Sequence, residues 1–249
     1  MIKKIFLGIV VIIVVGLVVA YFARNWIVKQ AIEKGGDYAL GVKTTVGSVN
    51  LGIGAGRLHL SDFEVHNPDG FQDKDIMSIT SADLGVETGS IFGSEVVVDS
   101  LVLDGLTVDL EQIDRRSNFK IVLDHIEQVD MGSSSSGNQH FHIKRLILRN
   151  IGAKATLTVL GKKQVEQSYT VENITLHDVG GENGATIGQI TAHVLKTVLS
   201  RAVLAAKGKL PGNFGDMFNE GVKENLQNLE SEAKDKLKDL GKNLIGGGK

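Results

Sequence analysis

The chain has 249 residues, with 27 Lys and Arg against 29 Asp and Glu, a net charge of −2 and no cysteine. It lacks the basic field that nucleic-acid binding requires, and it has no means of forming disulfides, thiol nucleophiles or thiolate-bound metal sites. Hydrophobic residues make up 42%, but 19 of them lie in residues 1–23, so the remainder is leaner than this average.

Ile5 to Ala23 carries no charge and is interrupted only by Gly8 and Gly16. As a helix rising about 1.5 Å per residue it covers about 28 Å, close to the hydrocarbon thickness of a bilayer. A cleaved signal peptide has a shorter apolar run ending in a small-x-small site; Val18-Val19-Ala20-Tyr21-Phe22-Ala23 has no such spacing. Residues 1–24 therefore read as a retained single-pass anchor. Lys3 and Lys4 before it, against Arg24 and Lys29 after it, bias the short N-terminus toward the cytoplasm and the bulk toward export. Tyr21, Phe22 and Trp26 would form an aromatic belt at the far interface. Helical spacing of Trp26, Ile27, Ala31 and Tyr38 predicts a helix over 25–40, ending near Gly35-Gly36, that either continues the anchor or forms a short juxtamembrane helix.

From residue 41 to about 182 the apolar period becomes two. Ala82, Leu84 and Val86 alternate with polar residues or glycine, as do Leu106, Val108 and Leu110, and as do Ile151, Ala153, Ala155, Leu157 and Val159. Such strands have one apolar and one wet face, which favours an antiparallel sheet. Asp69-Gly70 and Asp104-Gly105 are turn signals, the second that of a tight hairpin. The shift from Leu58 and Leu60 to Phe63 and Val65 predicts a bulge at Ser61-Asp62. A nine-residue pattern recurs at Val98–Leu106, Ile143–Ile151 and Val171–Val179, and predicts successive hairpins laid edge to edge in an elongating sheet. Phe119, Val122, Leu123 and Ile126 place a helix over Asn118–Val129, followed by a serine-rich loop, Gly132–Gly137.

Residues 183–249 read as helical. Ile187, Ile190, Val194, Val198 and Ala202 mark one helix, stopped by Gly208 and Pro211-Gly212. A second runs over Asp216–Leu244 with its apolar residues on an 11-residue period, which keeps the stripe almost straight. It suits docking on the chain's own sheet, on a partner or on a membrane surface.

Phe63-Glu64-Val65-His66-Asn67-Pro68-Asp69-Gly70-Phe71 resembles the AsmA-like family of Gram-negative envelope proteins. The glycine-rich Val46–Leu58 and the stretch Val98–Glu111 match further family features in order and spacing, over about residues 1–180. The resemblance implies an inner-membrane anchor, a periplasmic body and a long sheet folded into an apolar groove. It also implies lipid transfer or support of outer-membrane assembly. The chain departs from larger members in being short and in ending with helices. An anchored β-sandwich like the late-embryogenesis-abundant proteins, which also carry an Asn-Pro turn, is a further reading.

On its own physical terms Asn67, Pro68, Gly70 and Phe71 form a structural turn. Proline ends strand pairing, Gly70 permits positive φ, and Phe71 can fold back on the apolar face. His140 and His142 share a strand face but have no evident third metal ligand. Gly52–Gly56 reads as a hairpin turn, because no Lys-Ser/Thr or helix follows. Asp99, Asp104, Asp109 and Glu111 read as a solvated sheet face. No cofactor or enzymatic activity is implied. The candidate lipid-lining residues are Leu84, Val86, Leu101, Leu103, Leu106, Val108, Leu110, Leu146, Leu148, Ile151, Ala153, Ala155, Leu157 and Val159. The fold expected is a curved antiparallel sheet with an N-terminal transmembrane helix and two C-terminal helices. The expected partners are membrane lipid and an envelope protein docked through 216–244. The decisive question is whether the apolar face is open or filled by helices.

Overall fold

A computed structural model describes residues 23–91, 93–132, 140–181, 184–186, 189–190, 193–194, 197–198 and 201. Residues 23–40 form helix α1. Strands β1 (Thr44–Gly52) and β2 (Arg57–His66) follow, joined by a 3-10 turn at Ile53–Ala55, and then β3 (Asp75–Val86) and β4 (Glu95–Ile113). A two-residue β5 (Arg116–Ser117) leads into α2 (Asn118–Gly132). The sheet resumes with β6 (His140–Arg149), β7 (Ile151–Val159), β8 (Lys162–Val171) and β9 (Ile174–Val179). Residues 189–190, 193–194, 197–198 and 201 are helical, within the first expected terminal helix. The second, 216–244, lies outside the described residues, as do Ile5–Phe22 of the anchor and the serines of the loop. Among the described residues no helix is long and apolar enough to cross a membrane.

The protein is mainly β, and the nine strands among the described residues form one open, curved sheet in the order β1-β2-β3-β4-β6-β9, with β7 and β8 paired beside the far half of β4. Two expectations need correction. The sheet is mixed, because β6 and β7 run parallel to β4; the helical crossover through α2 carries the chain back to the start of β4, as parallel pairing requires. The sheet is also long in the other direction. Because β6 and β7 lie end to end, only six positions are stacked across it, about 24 Å between the outer strands, whereas the 19 residues of β4 can reach about 60 Å.

A transverse crease explains how strands this long keep one apolar face. Val46 pairs with Phe63 and Ser48 with Ser61, so no residue is inserted at Asp62, yet Asp62 has φ +53°. The bulge expected at Ser61-Asp62 is therefore a left-handed residue in unbroken register; the register shift of β2 against β3 occurs later, between Val65 and His66. The same line crosses β4 at Gly105 (φ +69°) and the β6–β7 junction at Asn150 (φ +51°). In each strand position the inward residues step by three across it: Val46 to Val49, Leu60 to Phe63, Ile79 to Ala82, Leu103 to Leu106, Leu148 to Ile151 and Val171 to Ile174. Asp104-Gly105 is thus no hairpin but the interior of β4. A side chain at Gly105 would bring its Cβ to 2.4 Å from Thr80 Oγ1. The three copies of the nine-residue pattern lie side by side, the first two parallel and the third antiparallel.

Helix α2 packs Phe119, Val122, Leu123 and Ile126 on the apolar face, each at most 4% exposed. Ile190 and Val198 join the same cluster. Helix α1 guards the edge. Asn25 Oδ1 accepts from the Leu51 N–H, Glu33 Oε1 from Val46 and Asp37 Oδ1 from Thr44, while Arg24 and Lys29 donate to the carbonyls of Leu51 and Gly47. An edge strand left with unpaired backbone groups is a site for aggregation; here polar side chains of one helix occupy its outward N–H and C=O groups.

Candidate apolar binding face

Pairing across the crease assembles transverse rows of apolar side chains. On the side reached by β1 at its C-terminal end, Leu51, Leu58, Leu84, Leu101, Leu146 and Leu176 stand in one row, and Val49, Leu60, Ala82, Leu103, Leu148 and Ile174 in the next. Beyond the crease come Val46, Phe63, Ile79, Leu106, Ile151 and Val171, then Thr44, Val65, Met77, Val108, Ala153 and Tyr169. Alternation produces each row: the residues are i and i+2 along a strand and directly opposite across strands.

Of the expected lining residues, Leu106, Val108, Leu110, Leu146, Leu148, Ile151, Ala153, Ala155 and Leu157 are buried, and Leu84, Val86, Leu101 and Leu103 are half-buried. Val159 departs from the face; it is 39% exposed at the β7–β8 hairpin, beyond a register shift after Leu157. Ala155 and Leu157 pack with Val165 and Tyr169 in a cluster of their own. The expected lining left out Val49, Leu51, Leu58, Leu60, Phe63 and Leu176, which belong to the same face; the phase break at 58–65 was a signal for Leu58, Leu60 and Phe63 alone.

The two halves of the face differ in cover. Between α2 and the sheet, Leu40, Val65, Ile76, Met77, Val108, Phe119 and Val122 enclose only about 10 Å³, room for a single water. In the first row, by contrast, Leu51, Leu58, Leu84, Leu101 and Leu176 are all half-buried.

The Asn67–Phe71 turn is tied down by polar groups. Asn118, fully buried, donates from Nδ2 to Asn67 Oδ1 and to the Asp109 carbonyl, and its Oδ1 accepts from the N–H groups of Glu111 and Phe119. Glu111 accepts from the N–H groups of Gln72 and Asp73 and is also fully buried, not solvated as its alternation with apolar residues predicts. Arg116 donates to the Asp69 carbonyl and lies 5.3 Å from the Phe71 ring centre. Phe71 therefore packs beneath a guanidinium and not on the apolar face. Asn118 and Glu111 have no distinguishing sequence signal beyond a helix start and an alternating strand.

The opposite face is polar and charge-paired. Lys144 meets Glu87 and Asp99, Arg149 meets Asp104 at 2.9 Å, and Lys154 meets Asp73 at 2.9 Å. These partners hold the ammonium groups of Lys144 and Lys154 above their ordinary range. Burial raises the Asp109 carboxyl, and the neighbouring Asp73, Asp75 and Glu111 add to this against Lys154. His142 lies 3.4 Å from Asp178 and 3.9 Å from Glu95. Among the described residues, the grouping with metal-ligand spacing is instead Glu64, His66 and Asp75, whose ligand atoms lie within 4.8 Å of one another. Lys74 already serves this group as a cation, at 2.7 Å from Glu64 and 3.4 Å from Asp75, and its hydrogen bond lowers the Glu64 carboxyl.

No protein-family model matches the chain, and no curated protein matches it by sequence.

Proposed function

We propose that this chain is a membrane-anchored, non-enzymatic envelope protein that holds lipid acyl chains on the apolar face of its sheet. Its role is lipid handling or outer-membrane assembly, in the manner of the AsmA-like proteins it resembles. The observation that carries this reading is the row Leu51, Leu58, Leu84, Leu101, Leu146 and Leu176, half-buried at every place but Leu146. A row of leucines across the sheet offers hydrocarbon contact without polar demands, and each methylene it takes from water contributes about 0.8 kcal/mol. Headgroups would remain at the open margin.

The test places a photoreactive residue at Leu84 or Leu101, with Asp83 on the polar face as control. Lipid adducts are expected from the first two positions only, together with lipid retained in native mass spectrometry. Absence of both would overturn the reading. A second reading, a structural adaptor with a closed β core docking through 216–244, is favoured by the complete burial of Leu146 and Leu148. It expects deletion of 216–244 to abolish localisation or partner binding while the sheet binds no lipid.

A further inference from the structure

We propose that the protein has a second membrane contact besides its anchor: a foot made by the tips of the β1–β2 and β3–β4 turns, which rests in the bilayer interface beside the start of α1. This inference rests on the membrane-anchored reading above, and it specifies which end of the sheet meets the bilayer.

Helix α1 follows directly on the uncharged run ending at Ala23. Its hydrogen bonds to β1 fix its direction. Arg24 and Asn25 meet Leu51, whereas Asp37 meets Thr44. The helix thus starts at the end of the sheet where β1 finishes, and runs away from it antiparallel to β1. The 3-10 turn Ile53–Ala55 stands at that same end, and Gly56 O accepts from Val86 N at 2.8 Å, joining this turn to the β3–β4 connection.

Large apolar side chains are exposed at this end. Trp26 is 65% exposed, Ile27 48%, Ile53 58% and Ile91 39%. Isolated exposed apolar residues are ordinary, and Tyr38, Ile121, Val159 and Leu160 are exposed elsewhere; what sets these four apart is that three separate segments bring them to the end of the sheet where α1 starts. A tryptophan at the start of the helix and an exposed Arg57 at the base of the turn suit the headgroup level, where amphipathic rings and cations are favoured. Gly52, Gly54 and Gly56 in the turn leave little bulk to keep Ile53 from the interface. The placement also brings the least covered leucine row to the membrane, since Leu51 and Leu58 flank the same turn.

The absence of native cysteine makes the test direct. Single cysteines replacing Trp26, Ile53, Ile91 and, as a distal control, Leu160 are labelled with an environment-sensitive fluorophore in the full chain, reconstituted in phosphatidylethanolamine–phosphatidylglycerol vesicles. Leu160 is 87% exposed at the opposite end of the sheet. Labels at 26, 53 and 91 are expected to shift to the blue and to lose intensity when doxyl-labelled lipid is included; the label at 160 is not. Labels at 53 and 91 as aqueous as that at 160 would overturn the foot. An aqueous label at 26 would overturn it together with the anchor. Photocrosslinking at Leu101, run on the same vesicles, separates the two proposals. Adducts there with aqueous 53 and 91 sink the foot alone; interfacial 53 and 91 without adducts sink lipid binding alone.

Discussion

Gly105 within β4 and Asn150 at the β6–β7 junction stand at the same level of the sheet, and both have left-handed backbone, φ +69° and +51°. The coincidence keeps the two strands in register through a phase change that would otherwise turn half of each apolar stripe to the wet face. Gly105→Ala combines a disfavoured φ with a 2.4 Å approach to Thr80, and is expected to cost about 2–4 kcal/mol by urea denaturation. Thr80→Gly should recover the steric part of that loss in the double variant.

Leu101 and Leu146 stand opposite each other in one row but differ in burial. Leu146→Ala should cost about 3 kcal/mol, the usual range for a filled core site. Leu101→Ala should cost about 1 kcal/mol, since part of its surface is already wet, while diminishing retained lipid in native mass spectrometry. Equal losses of stability would mean that the row is uniformly covered.

Asn118→Ala removes four hydrogen bonds from a fully buried site and leaves the N–H groups of Glu111 and Phe119 without that acceptor. A loss of about 2–4 kcal/mol is expected. Hydrogen exchange should accelerate in residues 67–74 as well as at the start of α2, because both are tied to this side chain.

Removing the edge guard should change association more than folding. Replacing Asn25, Glu33 and Asp37 together by alanine frees the N–H groups of Leu51, Val46 and Thr44. Sedimentation should then detect concentration-dependent self-association through β1; a triple variant that remains unassociated would show that the edge is protected by other means.

Asp109 gives a pH dependence of known sign. Burial raises its carboxyl above the ordinary range. A group raised on folding favours the folded state when protonated, and that contribution is lost as pH rises through the folded value. Asp109→Asn should therefore raise the thermal midpoint near pH 7, and the advantage should shrink at about pH 3, where both side chains are neutral.

Much of the local structure was legible in the sequence. The spacing of Phe119, Val122, Leu123 and Ile126 located α2 and its buried face, and the alternation at 82–86, 106–110 and 151–157 identified inward residues. Asp104-Gly105 was misleading for a physical reason. The same dihedral preference that closes a hairpin also serves inside a strand, and only the neighbouring strand distinguishes the two uses. Glu111 was misleading in the same way: alternation assigns it to the outer face, but a loop 38 or 39 residues away in sequence covers that face.

The sequence by itself determined the period of each element, the uncharged N-terminal run and the apolar character of one sheet face, since these follow from local side-chain order. Only the tertiary structure decided that the crease runs through all six positions in register. It also decided that β6 returns parallel to β4, that α1 side chains occupy the free edge of β1, and that α2 closes one half of the apolar face more fully than the other. Those outcomes depend on which distant residues meet, and pairing across tens of residues leaves no trace in local periodicity.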